Sequence, residues 1–167
     1  LQLTTYNLQY EYDANSNRAK LIYPDNTYVT YSYDQLNRLT SVIGSGSEAI
    51  SSYTYDALSR RMSLNLANNT QTQYVYDNAN RLTSLTNNKG LTAISSSSYT
   101  YDRAGNRKTM TTSAGTHSYT YDSIYQLSAI SSQPSAGNAQ YTYDAVGNRI
   151  NSVIASPPEA DEAPSYT

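Results

Sequence analysis

Seven aspartates recur along the chain, at Asp13, Asp34, Asp56, Asp77, Asp102, Asp122 and Asp144. Carboxylates at regular intervals suggest two chemistries, general acid–base catalysis and calcium binding. Neither fits. An active site needs different groups converging on one point, whereas a ladder of identical groups has no unique centre. A calcium repeat gathers several oxygens around each ion, and here each repeat offers one Asp with an arginine close behind to compete for it. His117 is the only histidine; it has no cysteine or second histidine as a metal partner, and Gly115-Thr116-His117-Ser118 reads as a hairpin apex. Serines are abundant, but no Gly-x-Ser-x-Gly elbow frames one as a nucleophile. The residues therefore point to no catalytic group, no metal and no cofactor, with each Asp serving a turn.

The elements that position those aspartates are written just before them. Each of the seven follows a Tyr-x-Tyr dyad: Tyr10 and Tyr12, Tyr31 and Tyr33, Tyr53 and Tyr55, Tyr74 and Tyr76, Tyr99 and Tyr101, Tyr119 and Tyr121, Tyr141 and Tyr143. Successive dyads start 21, 22, 21, 25, 20 and 22 residues apart, a period that signals a repeat architecture. Two residues apart in an extended chain, both rings lie on one face of a sheet and the residue between them on the other. After each Asp come residues rich in Asn, Gly, Ser and Ala, which is turn chemistry, because Asp accepts N–H groups from the next residues and Asn and Gly tolerate positive φ. An arginine follows, four residues on at Arg38, Arg60 and Arg81, and five on at Arg18, Arg107 and Arg149. The five-residue versions are expected to hold one extra residue in a left-handed or bulged conformation, and the arginines to pair with their Asp. The sixth repeat has Gln126 instead, so the Asp is the more important half of the pair. Extended segments resume after the arginines, and each repeat reads as a β-hairpin.

This predicts an all-β chain of about fourteen antiparallel strands, two for each of seven repeats, over residues 1–155, with a Pro-rich acidic linker or tail at 156–167. The outer connections read as tight turns at Pro24-Asp25-Asn26-Thr27 and Asn68-Asn69-Thr70-Gln71, a longer flexible loop at Gly44–Glu48, and a turn at Asn87-Asn88-Lys89-Gly90 followed by an extended or bulged approach to Tyr99. Two further turns centre on Ala114-Gly115-Thr116 and on 132–138. With 19 Tyr and no Phe, Trp or Cys in 167 residues, the core must be thin and Tyr-lined, between two partly wet faces. In-register tyrosines of neighbouring repeats are expected to form ladders of aromatic cross-strand pairs. A net charge of −2 with 11 scattered Lys and Arg gives no footprint for nucleic acid. No 18-residue apolar run is present to span a membrane as a helix. Leu1 falls mid-strand without a signal-peptide pattern, so the chain reads as an excerpt of a longer protein.

Tyr-x-Tyr-Asp-x-x-Gly-Asn-Arg, as in Tyr141 to Arg149, and Tyr-x-Tyr-Asp-x-x-Asn-Arg-Leu, as in Tyr31 to Leu39, resemble the YD repeats of the Rhs family, and the resemblance covers residues 1–154. It implies that the hairpins join a long sheet spiralling round a cavity, as in Rhs proteins, the BC components of Tc toxins and the teneurins, and that bacterial members enclose a toxic C-terminal domain. The chain lacks the Asp- and Pro-rich core segment that follows the repeats in many members. The expected function is a non-enzymatic structural module, secreted or at the cell surface. It would be a section of shell enclosing toxin or other cargo, or an array that assembles with other YD repeats or copies of itself through its sheet edges. The alternative is an extracellular adhesion module that grips carbohydrate or a partner protein through its Tyr-rich face.

Overall fold

The computed structural model describes residues 7–133 and 137–155. Within them lie fourteen strands: β1 (Gln9–Tyr12), β2 (Arg18–Ile22), β3 (Tyr28–Tyr33), β4 (Leu39–Gly44), β5 (Ala49–Tyr55), β6 (Arg61–Leu66), β7 (Thr70–Tyr76), β8 (Leu82–Lys89), β9 (Thr92–Tyr101), β10 (Arg107–Thr112), β11 (Gly115–Tyr121), β12 (Leu127–Gln133), β13 (Asn138–Tyr143) and β14 (Arg149–Ala155). Hydrogen-bonded neighbours follow chain order without a crossover, as hairpins with short turns require. The proposed tail at 156–167 lies outside the described residues, as do the start of the first strand and positions 134–136 of the last outer turn. The strands fall into two compact units, one of Leu1–Tyr76 with Ser84–Ser95 and one of Asp77–Thr83 with Ser96–Thr167.

All seven Asp turns close alike. The Asp N–H donates to the carbonyl four residues on at 2.9–3.0 Å, and the N–H three residues on donates back to the Asp carbonyl at 3.0–3.2 Å. That third residue has positive φ in every turn: Ser16, Asn37, Ser59, Asn80, Gly105, Tyr125 and Gly147. A left-handed residue at this point turns the chain back into a hairpin that starts with a bulge. The register accordingly slips beside the second tyrosine, which faces the fifth residue after Asp, in Tyr33↔Leu39, Tyr55↔Arg61 and Tyr143↔Arg149. The spacing of the arginine has no part in this. Turns with Arg five residues on contain no extra residue, contrary to the expectation, because the backbone closure is common to all seven and only the side chain placed on it changes.

Several other expectations need correcting. Gly44–Glu48 is a tight turn, closed by Gly44 N–H to Glu48 O and Ser47 N–H to Gly44 O, with Ser47 left-handed. The Glu48 carboxylate folds back over Gly44. Asn87 and Asn88 belong to β8, and the turn is at Gly90–Leu91. Gly115 and Thr116 open β11, and His117 is a strand residue whose Nδ1 meets Ser132 Oγ at 2.7 Å, not an apex residue. Nor is there a thin core: among the described residues no hydrophobic side chain is buried, and Ser51, 6% exposed, is the one buried polar side chain. The dyad tyrosines from Tyr31 onward are half-buried with an exposed residue between them, while Tyr10 and Tyr12 are exposed. A sheet with no second layer over it can only half-cover its side chains with their neighbours on the same face.

Asp56→Ala removes the acceptor for two turn amides and should speed hydrogen exchange at Leu58 and Arg60 while leaving the hairpins of the other unit unchanged, since repeats are stabilised by their neighbours. Loss of protection along the whole chain would contradict a local role for the turn.

Candidate functional site

The repeating contact between one Asp turn and the next is the nearest thing to a site in this molecule. Within a turn, Asp Oδ1 accepts the N–H groups two and four residues on, as at Asp34 from Leu36 and Arg38 and at Asp144 from Val146 and Asn148, at 2.8–3.0 Å. Oδ2 accepts a side chain from the fourth residue. Arg38, Arg60 and Arg81 reach it with Nε at 2.7, 2.6 and 2.8 Å, and Asn17, Asn106 and Asn148 with Nδ2 at 3.0, 2.9 and 3.0 Å. Asn four residues on thus performs the arginine's local task. The signal was present in Asn17-Arg18, Asn106-Arg107 and Asn148-Arg149, where aligning the arginines concealed the asparagines.

The two arginine positions therefore differ in function. From the fourth position, Arg38 Nη1 crosses to the Asp56 carbonyl at 3.2 Å and to Ser59 Oγ at 3.1 Å, while its guanidinium lies 4.7 Å over the Tyr55 ring. Arg81 repeats this on Asp102 O at 3.1 Å and over Tyr101 at 4.8 Å. Arg60 stands 4.7 Å over Tyr76. From the fifth position, Arg18 and Arg107 pair with no Asp and stack instead on the first tyrosine of the next dyad, Tyr31 and Tyr119, each at 4.3 Å. Arg149 lies over its own Tyr141 at 5.4 Å. Three of the six expected Asp–Arg pairs form; the other three arginines are cation–π partners.

The second tyrosine completes the link. Its hydroxyl donates to the carbonyl five residues past the preceding Asp: Tyr33 to Arg18, Tyr55 to Leu39, Tyr101 to Leu82, Tyr121 to Arg107 and Tyr143 to Leu127, at 2.6–3.0 Å. The expected ladder of tyrosine on tyrosine does not form. Dyads occupy every second strand, so ~4.8 Å between strands puts their rings about 10 Å apart, and the return strand's arginines and aliphatics fill the gap. Tyr53 faces Leu64 across the hairpin, for example. On the other face, hydroxyls pair across strands: Thr54 with Ser63 and Thr100 with Thr109.

The electrostatics follow the hydrogen bonds. Asp13, Asp102 and Asp144 are held below the ordinary carboxylate range, first by the asparagine amide and then by backbone N–H groups. Asp56 and Asp77 are lowered chiefly by the N–H of Arg60 and Arg81, with the guanidinium adding to it. At Asp34 burial pulls upward, and the N–H and guanidinium of Arg38 with the Leu36 N–H outweigh it. Among the described residues no three of His, Cys, Asp and Glu gather to hold a metal. No helix among the described residues is long and apolar enough to cross a membrane.

A single-layer antiparallel sheet of hairpins, tied turn to turn by Asp, Arg and Tyr, defines a repeat-built structural protein. The chain belongs to the Teneurin YD-shell family, whose pattern matches residues 3–153. No curated protein matches it. Among solved structures it is similar to TcdB2-TccC3 without its hypervariable C-terminal region, with a TM-score of 0.80 at 21% identity over 92% of this chain. It is similar also to TcdB2-TccC3-Cdc42, with a TM-score of 0.79 at 22% identity over 91%. The chain spans 9% of the length of each of these, and at such identity the likeness is one of fold.

Tyr101→Phe deletes only the hydroxyl bonded to Leu82 O and should cost about 0.5–1.5 kcal/mol in chemical unfolding, and an unchanged midpoint would show the bond to be idle. The depressed aspartates bind protons more weakly folded than unfolded. Their contribution is complete above the free-Asp range near about pH 4 and fades as pH falls through the folded values below it. The melting temperature should therefore hold level from neutral pH to about pH 5 and drop below about pH 4; a level profile into stronger acid would refute the assignment.

Proposed function

We propose that this chain is a section of the wall of an extracytoplasmic shell that encloses a polypeptide cargo of the toxin kind, with residues 1–155 as one repeat domain and 156–167 as a linker. The observation that carries the reading is a sheet without a core whose strand order ends in β1 and β14, each with one paired neighbour. Such edges offer a row of unpaired N–H and C=O groups. Neither is blunted by a proline, and Tyr12, Ile150, Val153 and Ile154 are all more than half exposed. A wall continued by further YD repeats, of the same longer chain or of another copy, covers both edges. Similarity to a protein that carries a hypervariable C-terminal region supports a carrier of exchangeable cargo. The family's structural character supports a non-enzymatic role for the Tyr, Asp and Arg of the repeats.

Adhesion to carbohydrate through the tyrosine face has less support. Sugar stacking needs a free ring face, and from Tyr31 to Tyr141 dyad rings are half-buried with arginines over many of them. The shell reading predicts that the isolated segment self-associates at high micromolar concentration, seen by sedimentation. Charging one edge with Ile150→Lys and Ile154→Lys should weaken that association without unfolding the other hairpins. A wild-type segment that stays monomeric would sink the edge-pairing argument.

A further inference from the structure

Every step between neighbouring turns in the second half of the chain is filled by a side chain except one. Arg81 bridges from the fourth Asp turn to the Asp102 carbonyl at 3.1 Å, over Tyr101. At the last step Gln126 lies over the seventh turn, its Nε2 3.1 Å from where a Cβ on Gly147 would stand. At the first step of the chain, where asparagine also replaces arginine, Asn17 Nδ2 donates across to Asn37 Oδ1 at 2.9 Å. Between the fifth and sixth turns Asn106 reaches only its own Asp102. There an open groove of about 360 Å³ appears, lined by Asp102, Asn106, Lys108, Tyr121, Asp122 and Tyr125.

The groove has the acceptors and the ring that a guanidinium uses elsewhere in the sheet. Asp102 lines the groove with a carboxylate whose Oδ2 takes the neutral Asn106 amide where Asp34, Asp56 and Asp77 take a guanidinium, and the Asp122 carbonyl is the counterpart of the Asp102 carbonyl that Arg81 bonds. No cation stands over the Tyr121 ring among the described residues, although Arg107 lies over the adjacent Tyr119 at 4.3 Å. Tyr125, at the left-handed position that the third residue takes in every Asp turn, lines the groove as well. A planar cation laid on Tyr121 could bond the Asp122 carbonyl beside the Asp102 carboxylate, as Arg38 bonds its own turn's carboxylate and the next turn's carbonyl, and arginine matches that fork better than lysine.

We propose that the notch between the fifth and sixth Asp turns binds an arginine side chain presented by another polypeptide segment. The tests use the full chain, isotope-labelled and followed by NMR, with N-acetyl-arginine methylamide as probe and its neutral citrulline counterpart as control. The arginine probe should give saturable shifts confined to the amides of 102–106 and 121–126, and the citrulline probe none. Asn106→Arg installs the residue that the second to fourth turns already carry, so it keeps the fold while filling the notch, and should weaken binding at least about tenfold; Asp102→Asn, which keeps an acceptor for the turn amides, should do likewise. Lys108→Gln should leave binding unchanged or tighten it. No saturable shift, equal shifts at all seven turns, equal binding of citrulline, undiminished binding by Asn106→Arg, or weakening by Lys108→Gln would each overturn the proposal, the last by showing that the groove selects an anion.

Discussion

A carboxylate oxygen that accepts two backbone N–H groups is the interaction on which the rest of this sheet depends. Asp Oδ1 holds the second and fourth following amides of a turn whose third residue is left-handed, and the hairpin returns with a bulge. The bulge has a fixed consequence, since a slip of one residue transfers every later side chain to the other face. It brings the fifth residue after Asp opposite the second tyrosine, and leaves that residue's carbonyl facing the following repeat, where the next dyad's hydroxyl finds it. Turn chemistry thus determines both the shape of a hairpin and the place at which the next one attaches.

Attachment has to be polar because there is no interior to supply the usual driving force. With no buried hydrophobic residue among those described, stability comes from many partial coverings. An arginine over an exposed ring contributes about 0.5–1 kcal/mol, and a tyrosine hydroxyl on a carbonyl about 0.5–1.5 kcal/mol. Each step is weak, yet a repeat array sums such steps along its length. Tyrosine suits this arrangement better than phenylalanine would: its ring can be half wet, and its hydroxyl reaches the first carbonyl of the preceding hairpin's return strand. That accounts for 19 Tyr and no Phe in the sequence.

The period, the strands and the Asp turns were legible because each is encoded locally, in two residues of alternation and a few of turn chemistry. What lay between repeats was not. Tyrosines that look adjacent in an aligned list sit on every second strand, so their partners are arginines and aliphatics from the strand between. Arg38 and Arg107 look equivalent in the motif, but a difference of one position directs the first to an aspartate and the second to a tyrosine ring. The Gly44 turn was misread as flexible because its glycines and serines resemble a linker, whereas its closure is the backbone pattern of the Asp turns without the carboxylate. His117 was misplaced by one strand end, the usual error where a glycine opens a strand instead of marking a turn's centre.

Separating the tasks of Asp and of the fourth residue after it explains how one stencil yields unequal neighbours. Asp acts inside its own hairpin and is present in all seven repeats. The fourth residue acts between hairpins, and it varies. Arginine spans to the next turn's carbonyl, asparagine stops at its own Asp unless another amide meets it, and glutamine leaves the Asp for the following turn. Repeat geometry is therefore insensitive to changes at this position, while the ties along the row of turns are set by it residue by residue. A wall built this way can lose a tie, and open a groove between two turns, without disturbing the register of the strands on either side.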